Sequence, residues 1–160
     1  MQLHNLKENS QKVSFVEAVK TGLGRNQGVF FPESLAPLAD VDALLDMNFF
    51  TRSNKILSHL IGDEFPADTV AQMVKNAFNF PVKLVEVEDN NYCLELFHGP
   101  TLAFKDFGGR FMAECLAQFN QGEKVTILTA TSGDTGAAVA HAFYNKPNID
   151  VVILYPKGKI

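Results

Sequence analysis

A chain of 160 residues can hold one domain with its core, or a small domain and part of another. With 46% hydrophobic residues, 20% charged residues and a net charge of −4, it has the balance of a soluble globular protein and no basic tract suited to general nucleic-acid binding. The opening MQLHNLKENSQK is too polar for a secretory signal and no apolar run approaches ~18 residues, so a cytoplasmic protein with no membrane partner is expected. Cys93 and Cys115 have neither metal-site nor redox spacing; they are expected as two buried thiols, with no metal bound.

The first third reads as helical. Val13, Phe15, Val16 and Val19 fall close to one helical face, with Ser14 placed to start the helix. GLGRNQG, from Gly22 to Gly28, is not a dinucleotide loop. Its third glycine comes one residue late, no strand precedes it, and VFFPESL rather than a helix follows. It reads as a loop into a short extended segment stopped by Pro32. Val41 to Gly62 carries apolar residues at helical spacing, broken near Asn48, and a further helix starts at Pro66 and ends before Pro81. Asp40, Asp42, Asp46, Asp63 and Glu64 spread over helix starts and outer faces, the pattern of solvated surface rather than of acid–base work.

After Pro81 the period changes. KLVEVE and YCLELF both alternate around a turn at Asp89, Asn90 and Asn91, which predicts a hairpin with Glu86, Glu88 and Glu95 on its wet face. A helix over GRFMAECLAQF follows. VTILTA and DVVILYP then read as buried parallel strands flanking a small-residue helix, one βαβ unit. Two strands cannot bury both faces of such a sheet, so a truncated piece of a larger α/β protein is expected.

Two loops carry chemistry. In TSGDTGAA, Gly133 and Gly136 permit a tight turn. Ser132, Asp134 and Thr135 stand where free helix amides suit a carboxylate or phosphate, although the same residues serve ordinary capping. In TLAFKDFGGRF, Lys105 lies among Leu102, Phe104 and Phe107, with Gly108 and Gly109 behind. A lysine desolvated by such neighbours is a nucleophile able to form a Schiff base, whereas the plainer alternative is a lysine at a helix start beside Asp106. Both loops fall at the sheet edge where open α/β folds bind ligands.

FHGPTLAFKDFGGRF followed by LTATSGDTGAAVAHAF resembles the threonine synthases, pyridoxal-phosphate enzymes of the fold-type II, tryptophan synthase β group. NLKENSQKVSFVEAVKTGLGRNQGVFFPESL is similar to that family's N-terminal domain, so the resemblance runs from residue 5 to 160. It implies an α/β fold in which a helical N-terminal domain with a β-hairpin precedes the start of a parallel-sheet catalytic domain. The implied boundaries are 1–80 for the N-terminal domain and 81–160 for the incomplete cofactor-binding domain.

The resemblance also implies pyridoxal 5′-phosphate as cofactor, joined to Lys105 as an aldimine, with Phe104 beside that lysine and Asp134 at the cofactor's 3′-oxygen. Many relatives in the wider group have asparagine where Asp134 stands. Thr131, Ser132 and Thr135 would grip the substrate carboxylate. His98 is a weaker candidate for substrate contact against loop packing, and Arg110 for phosphate contact against an exposed helix position. The implied reaction, the last step of threonine biosynthesis, turns O-phospho-L-homoserine and water into L-threonine and phosphate. The rivals are another fold-type II lyase (a threonine or serine dehydratase, or a cysteine synthase) and a noncatalytic fragment. Residues for the cofactor phosphate and pyridine nitrogen are expected beyond residue 160, so residues 1–160 alone are expected to be inactive.

Overall fold

The computed structural model describes residues 1–120 and 122–158. The chain forms two compact units, Met1–Lys75 and Asn76–Ile160.

The first unit opens with a sheet, not a helix. Strands β1 (Gln2–Asn5), β2 (Glu8–Ser14) and β3 (Phe30–Pro32) form an antiparallel sheet in the order β2-β1-β3. Val13, expected on a helical face, lies in β2 and pairs with Leu3, and both are buried. Most other residues of β2 are polar because it is an edge strand, open to water along one side. Ser14 does start helix α1 (Phe15–Thr21), its hydroxyl accepting from the Glu17 amide at 3.1 Å.

Asn48 caps α2 (Phe49–Ile61) by accepting from the Thr51 amide at 2.9 Å, which explains the break in the apolar pattern. Pro66 precedes α3 (Ala67–Ala77), whose buried Val70, Met73, Val74 and Ala77 recur at helical spacing on one face.

In the second unit, β4 (Lys83–Glu88) and β5 (Asn91–Glu95) make the expected antiparallel hairpin, turning at Asp89 and at Asn90, which has φ 65°. Asn91, expected in the turn, belongs to β5. Both faces of β4 are exposed, so no dry face opposes the glutamates. Cys93 is exposed as well, against expectation, because it lies on this hairpin. Cys115 is buried in α4 (Lys105–Phe119), and burial, with the Glu114 charge beside it, pushes its thiol pKa up to about 12.

Helix α4 leads into β6 (Val125–Ala130), α5 (Asp134–Phe143) and β7 (Ile149–Leu154). The strands β6 and β7 are parallel and in register from Val125↔Ile149 to Ala130↔Leu154. Along β6, half-buried residues alternate with exposed ones, so only one face of this strand pair is covered among the described residues. No described helix is long and apolar enough to cross a membrane.

Packing of α4 on α5 fixes where the two chemical loops lie. A Cβ on Gly109 would rest 3.8 Å from the Ala142 methyl and 3.9 Å from the Ala138 carbonyl, so the helices touch there. Farther along, buried Glu114 pairs with Lys146, just past α5, and Asn120 reaches the Asn148 carbonyl at 3.4 Å. Contacts rise in number together along both helices, so α4 and α5 run parallel. Their N-termini therefore share one end, the C-terminal end of β6.

Candidate active site

At that end Lys105 begins α4 and Asp134 begins α5. Lys105 is half-buried, and its Nζ sits 4.3 Å from the centroid of the Phe104 ring. The apolar surround expected of Leu102 and Phe104 is not built by the described residues, since Leu102 is 73% exposed and Phe104 61%. Phe107 turns the other way, its ring 4.8 Å from that of Phe80 and 5.9 Å from that of Phe78. Gly108 faces open space, whereas Gly109 provides the approach to α5.

Asp106, which the sequence offered only as a charged neighbour of the lysine, is fully buried. Its carboxylate accepts from the Thr101 amide at 2.9 Å and from the Thr101 hydroxyl at 2.7 Å. No sequence pattern marks this burial, since an aspartate in the first turn of a helix is ordinarily solvated.

The loop after β6 is shaped by Thr131. Its amide donates to the Leu154 carbonyl at 2.9 Å, tying the loop to the end of β7. Its hydroxyl oxygen accepts from the amides of Gly133 at 3.1 Å and Gly136 at 3.3 Å. Gly136 is buried, and a Cβ there would meet the Thr131 methyl at 2.6 Å, so only glycine fits. With these bonds made, the first two helix amides, those of Asp134 and Thr135, have no acceptor within the helix. Ser132 and Asp134 are exposed beside them, and Thr135 is half-buried. A shallow hollow of about 320 Å³ opens here between Thr131, Gly133, Gly136, Ile153 and Tyr155. Lys105 is not among its lining residues.

The two weaker candidates are held elsewhere. His98 Nε2 lies 2.6 Å from Glu95 Oε2, with the Phe97 ring against its own at 4.7 Å. Arg110 donates to the carbonyls of Ala77 and Asn76, both at 2.7 Å, and to Asn79 Oδ1 at 2.9 Å, satisfying the last turn of α3. Among the described residues, no group of three His, Cys, Asp or Glu side chains could hold a metal ion.

A parallel strand pair joined by a helix, with a lysine and a second helix start at the C-terminal end of its first strand, is the architecture of the α/β class. Residues 5–78 match the family described as Threonine synthase N terminus. Over the whole chain, the sequence is 61% identical to threonine synthase of Haemophilus influenzae, of which it covers 38%. The crystal structure of threonine synthase from Escherichia coli superposes on the whole chain with a TM-score of 0.93 at 59% identity, 38% of that structure being covered. A structure of PLP-bound threonine synthase from Brucella melitensis gives a TM-score of 0.93 at 33% identity, the whole chain matching 36% of it. Over its whole length the chain is similar to the N-terminal portion of threonine synthases, and it spans well under half the length of these relatives.

Proposed function

We propose that this chain supplies the lysine-bearing portion of an enzyme that uses pyridoxal 5′-phosphate to convert O-phospho-L-homoserine and water to L-threonine and phosphate. One observation carries the reading: α4 and α5 run parallel, so the amine of Lys105 and the amides that start α5 open on the same end of the sheet. A primary amine on an aromatic face, at the same sheet end as helix-start amides, hydroxyls and a carboxylate, is a set of groups that fits an aldehyde cofactor and an amino-acid substrate.

When bound, the cofactor supplies an electron sink for charge developing at the substrate's Cα. Lys105 would attach the cofactor and, once free, take the Cα proton on Nζ and return it at the end of the reaction. Ser132, Thr135 and the first amides of α5 would hold the substrate's α-carboxylate, with negative charge favoured at the helix N-terminus. Thr131 serves that site by fixing the loop, since its hydroxyl is already engaged by the amides of Gly133 and Gly136. Asp134 would hydrogen-bond the cofactor's ring oxygen, which requires one proton between the two groups. Phe104 would pack beside the attachment point. Arg110 and His98 are given no step, because each is committed to neighbours of its own.

The test is an assay of the complete enzyme with and without pyridoxal phosphate, following phosphate release and threonine formation from O-phosphohomoserine. The reading predicts stoichiometric, cofactor-dependent formation of both products. Deamination of L-serine or L-threonine in their place would assign the enzyme to a dehydratase reaction instead.

A further inference from the structure

We propose that Asp106 is a positioning residue for Lys105, acting through a clasp on Thr101 that holds the backbone between them in its required conformation; this rests on reading Lys105 as the cofactor-bearing lysine. Asp106 is 0% exposed, and both its carboxylate oxygens accept from Thr101, one from the amide at 2.9 Å and one from the hydroxyl at 2.7 Å. The two residues bracket Leu102 to Lys105, so the pair closes a small ring of chain that ends on the lysine. Inside that ring the backbone is folded into successive tight turns. The amide of Leu102 donates to the Gly99 carbonyl at 3.1 Å, and that of Asp106 to the Ala103 carbonyl at 3.0 Å.

Leu102 has φ 60°, a left-handed conformation that a leucine side chain disfavours. Such a residue persists only where its surroundings over-determine it, and strain of this kind gathers at sites where geometry matters. Leu102 is mostly exposed, so packing of its own side chain does not hold it there. The clasp does. Gly99 is part of the same device: a Cβ at that position would lie 2.4 Å from Asp106 Oδ2, so the carboxylate reaches Thr101 only across a glycine. A carboxylate placed merely to favour the start of α4 could sit in water in the helix's first turn. Full burial, two bonds to one residue and a strained residue inside the ring are what distinguish a clasp.

The experiment measures the rate at which pyridoxal phosphate becomes fixed on Lys105 in the complete apoenzyme, by borohydride quenching and peptide mapping, beside the melting temperature of each variant. Asp106→Asn keeps the shape and loses one acceptor, and should slow fixation at least tenfold. Thr101→Val loses only the hydroxyl bond and should slow it at least threefold, while Thr101→Ser keeps both bonds and should stay within twofold of the parent. Leu102→Gly removes the cost of the left-handed backbone. Added to Thr101→Val, it should recover at least half of the lost rate, a response that general destabilisation would not produce. Fixation on Lys105 at the parental rate in Thr101→Val, or no recovery on adding Leu102→Gly, would overturn the positioning role and leave the functional reading intact. A parental enzyme labelled on a different lysine would overturn the functional reading, and this inference with it.

Discussion

The side-chain amide of Asn5 fills the space over Gly28: a Cβ at Gly28 would stand 1.7 Å from Asn5 Oδ1. Asn5 is fully buried, donating from Nδ2 to Gln11 Oε1 at 2.7 Å and to the Arg25 carbonyl at 2.9 Å, while its Oδ1 accepts from the Lys7 amide at 2.8 Å. Gly24 is crowded by the same amide, a Cβ there lying 2.6 Å from Nδ2. Gly24 and Gly28 of GLGRNQG therefore wrap a loop around one polar side chain of β1, while Gly22 at φ 72° caps α1, which accounts for the glycine pattern without a nucleotide.

Gly28→Ala should accordingly destabilise the first unit. Its own backbone, at φ −78°, would accept an alanine, so the penalty is steric alone. Overpacking of this kind costs roughly 1–3 kcal/mol, and loss of the Asn5 bonds would add to it. Denaturant unfolding of the variant beside the parent measures the effect. A loss below about 0.5 kcal/mol, within the range of an ordinary surface change, would show that the loop adapts freely.

Glu64 should make the same unit sensitive to acid. Burial raises the pKa of its carboxyl, but bonds from the Phe15 amide, the N-terminal ammonium and the Val16 amide outweigh burial and hold it below the ordinary value of 4.5. A carboxyl whose folded pKa is depressed stabilises the fold above its unfolded pKa, and that contribution fades as pH falls through the folded value. The stability difference between parent and Glu64→Gln should thus be largest above pH ~5 and shrink on acidification below about 4.5. A difference independent of pH between 3 and 6 would contradict this.

Asp134→Ala should harm turnover more than cofactor retention in the complete enzyme, because the attachment proposed at Lys105 would not depend on it. Losing one hydrogen bond to a charged group costs roughly 1.5–3 kcal/mol, about ten- to a hundredfold in rate if the bond matters in the transition state. Asp134→Asn keeps the shape and removes the charge, and so reports on the shared proton. Turnover unchanged in both variants would leave Asp134 as an ordinary first-turn helix residue.

How much of this was legible depended on how local each signal was. The βαβ unit could be read because VTILTA and IDVVIL are short apolar runs set off by glycine turns, and the hairpin because KLVEVE alternates. The N-terminal sheet could not. Only β3 lies where the sequence predicts a short extended segment ending at Pro32; β1 and β2 are mostly polar, and their buried residues, Leu3, Asn5 and Val13, are too few and too mixed in type to show a period of two. The apolar residues of α1 then drew Val13 into the wrong element. At the candidate site, Lys105 and the loop after β6 stand out by residue type, while the clasp of Asp106 on Thr101 is partly a backbone bond that no pattern encodes. Arg110 anchoring the end of α3, and Lys146 meeting Glu114 across 32 positions, are products of tertiary packing.

Whether Lys105 carries the cofactor is read most directly by reducing the complete enzyme with borohydride in the presence of pyridoxal phosphate and locating the pyridoxyl group by peptide mapping. Lys105 stands at the end of the sheet where α4 and α5 both begin, its amine on the Phe104 ring. A single stoichiometric label on Lys105 is expected, lost in a Lys105→Ala variant that still folds. A stoichiometric label on any other lysine, retained when Lys105 is replaced, would contradict it.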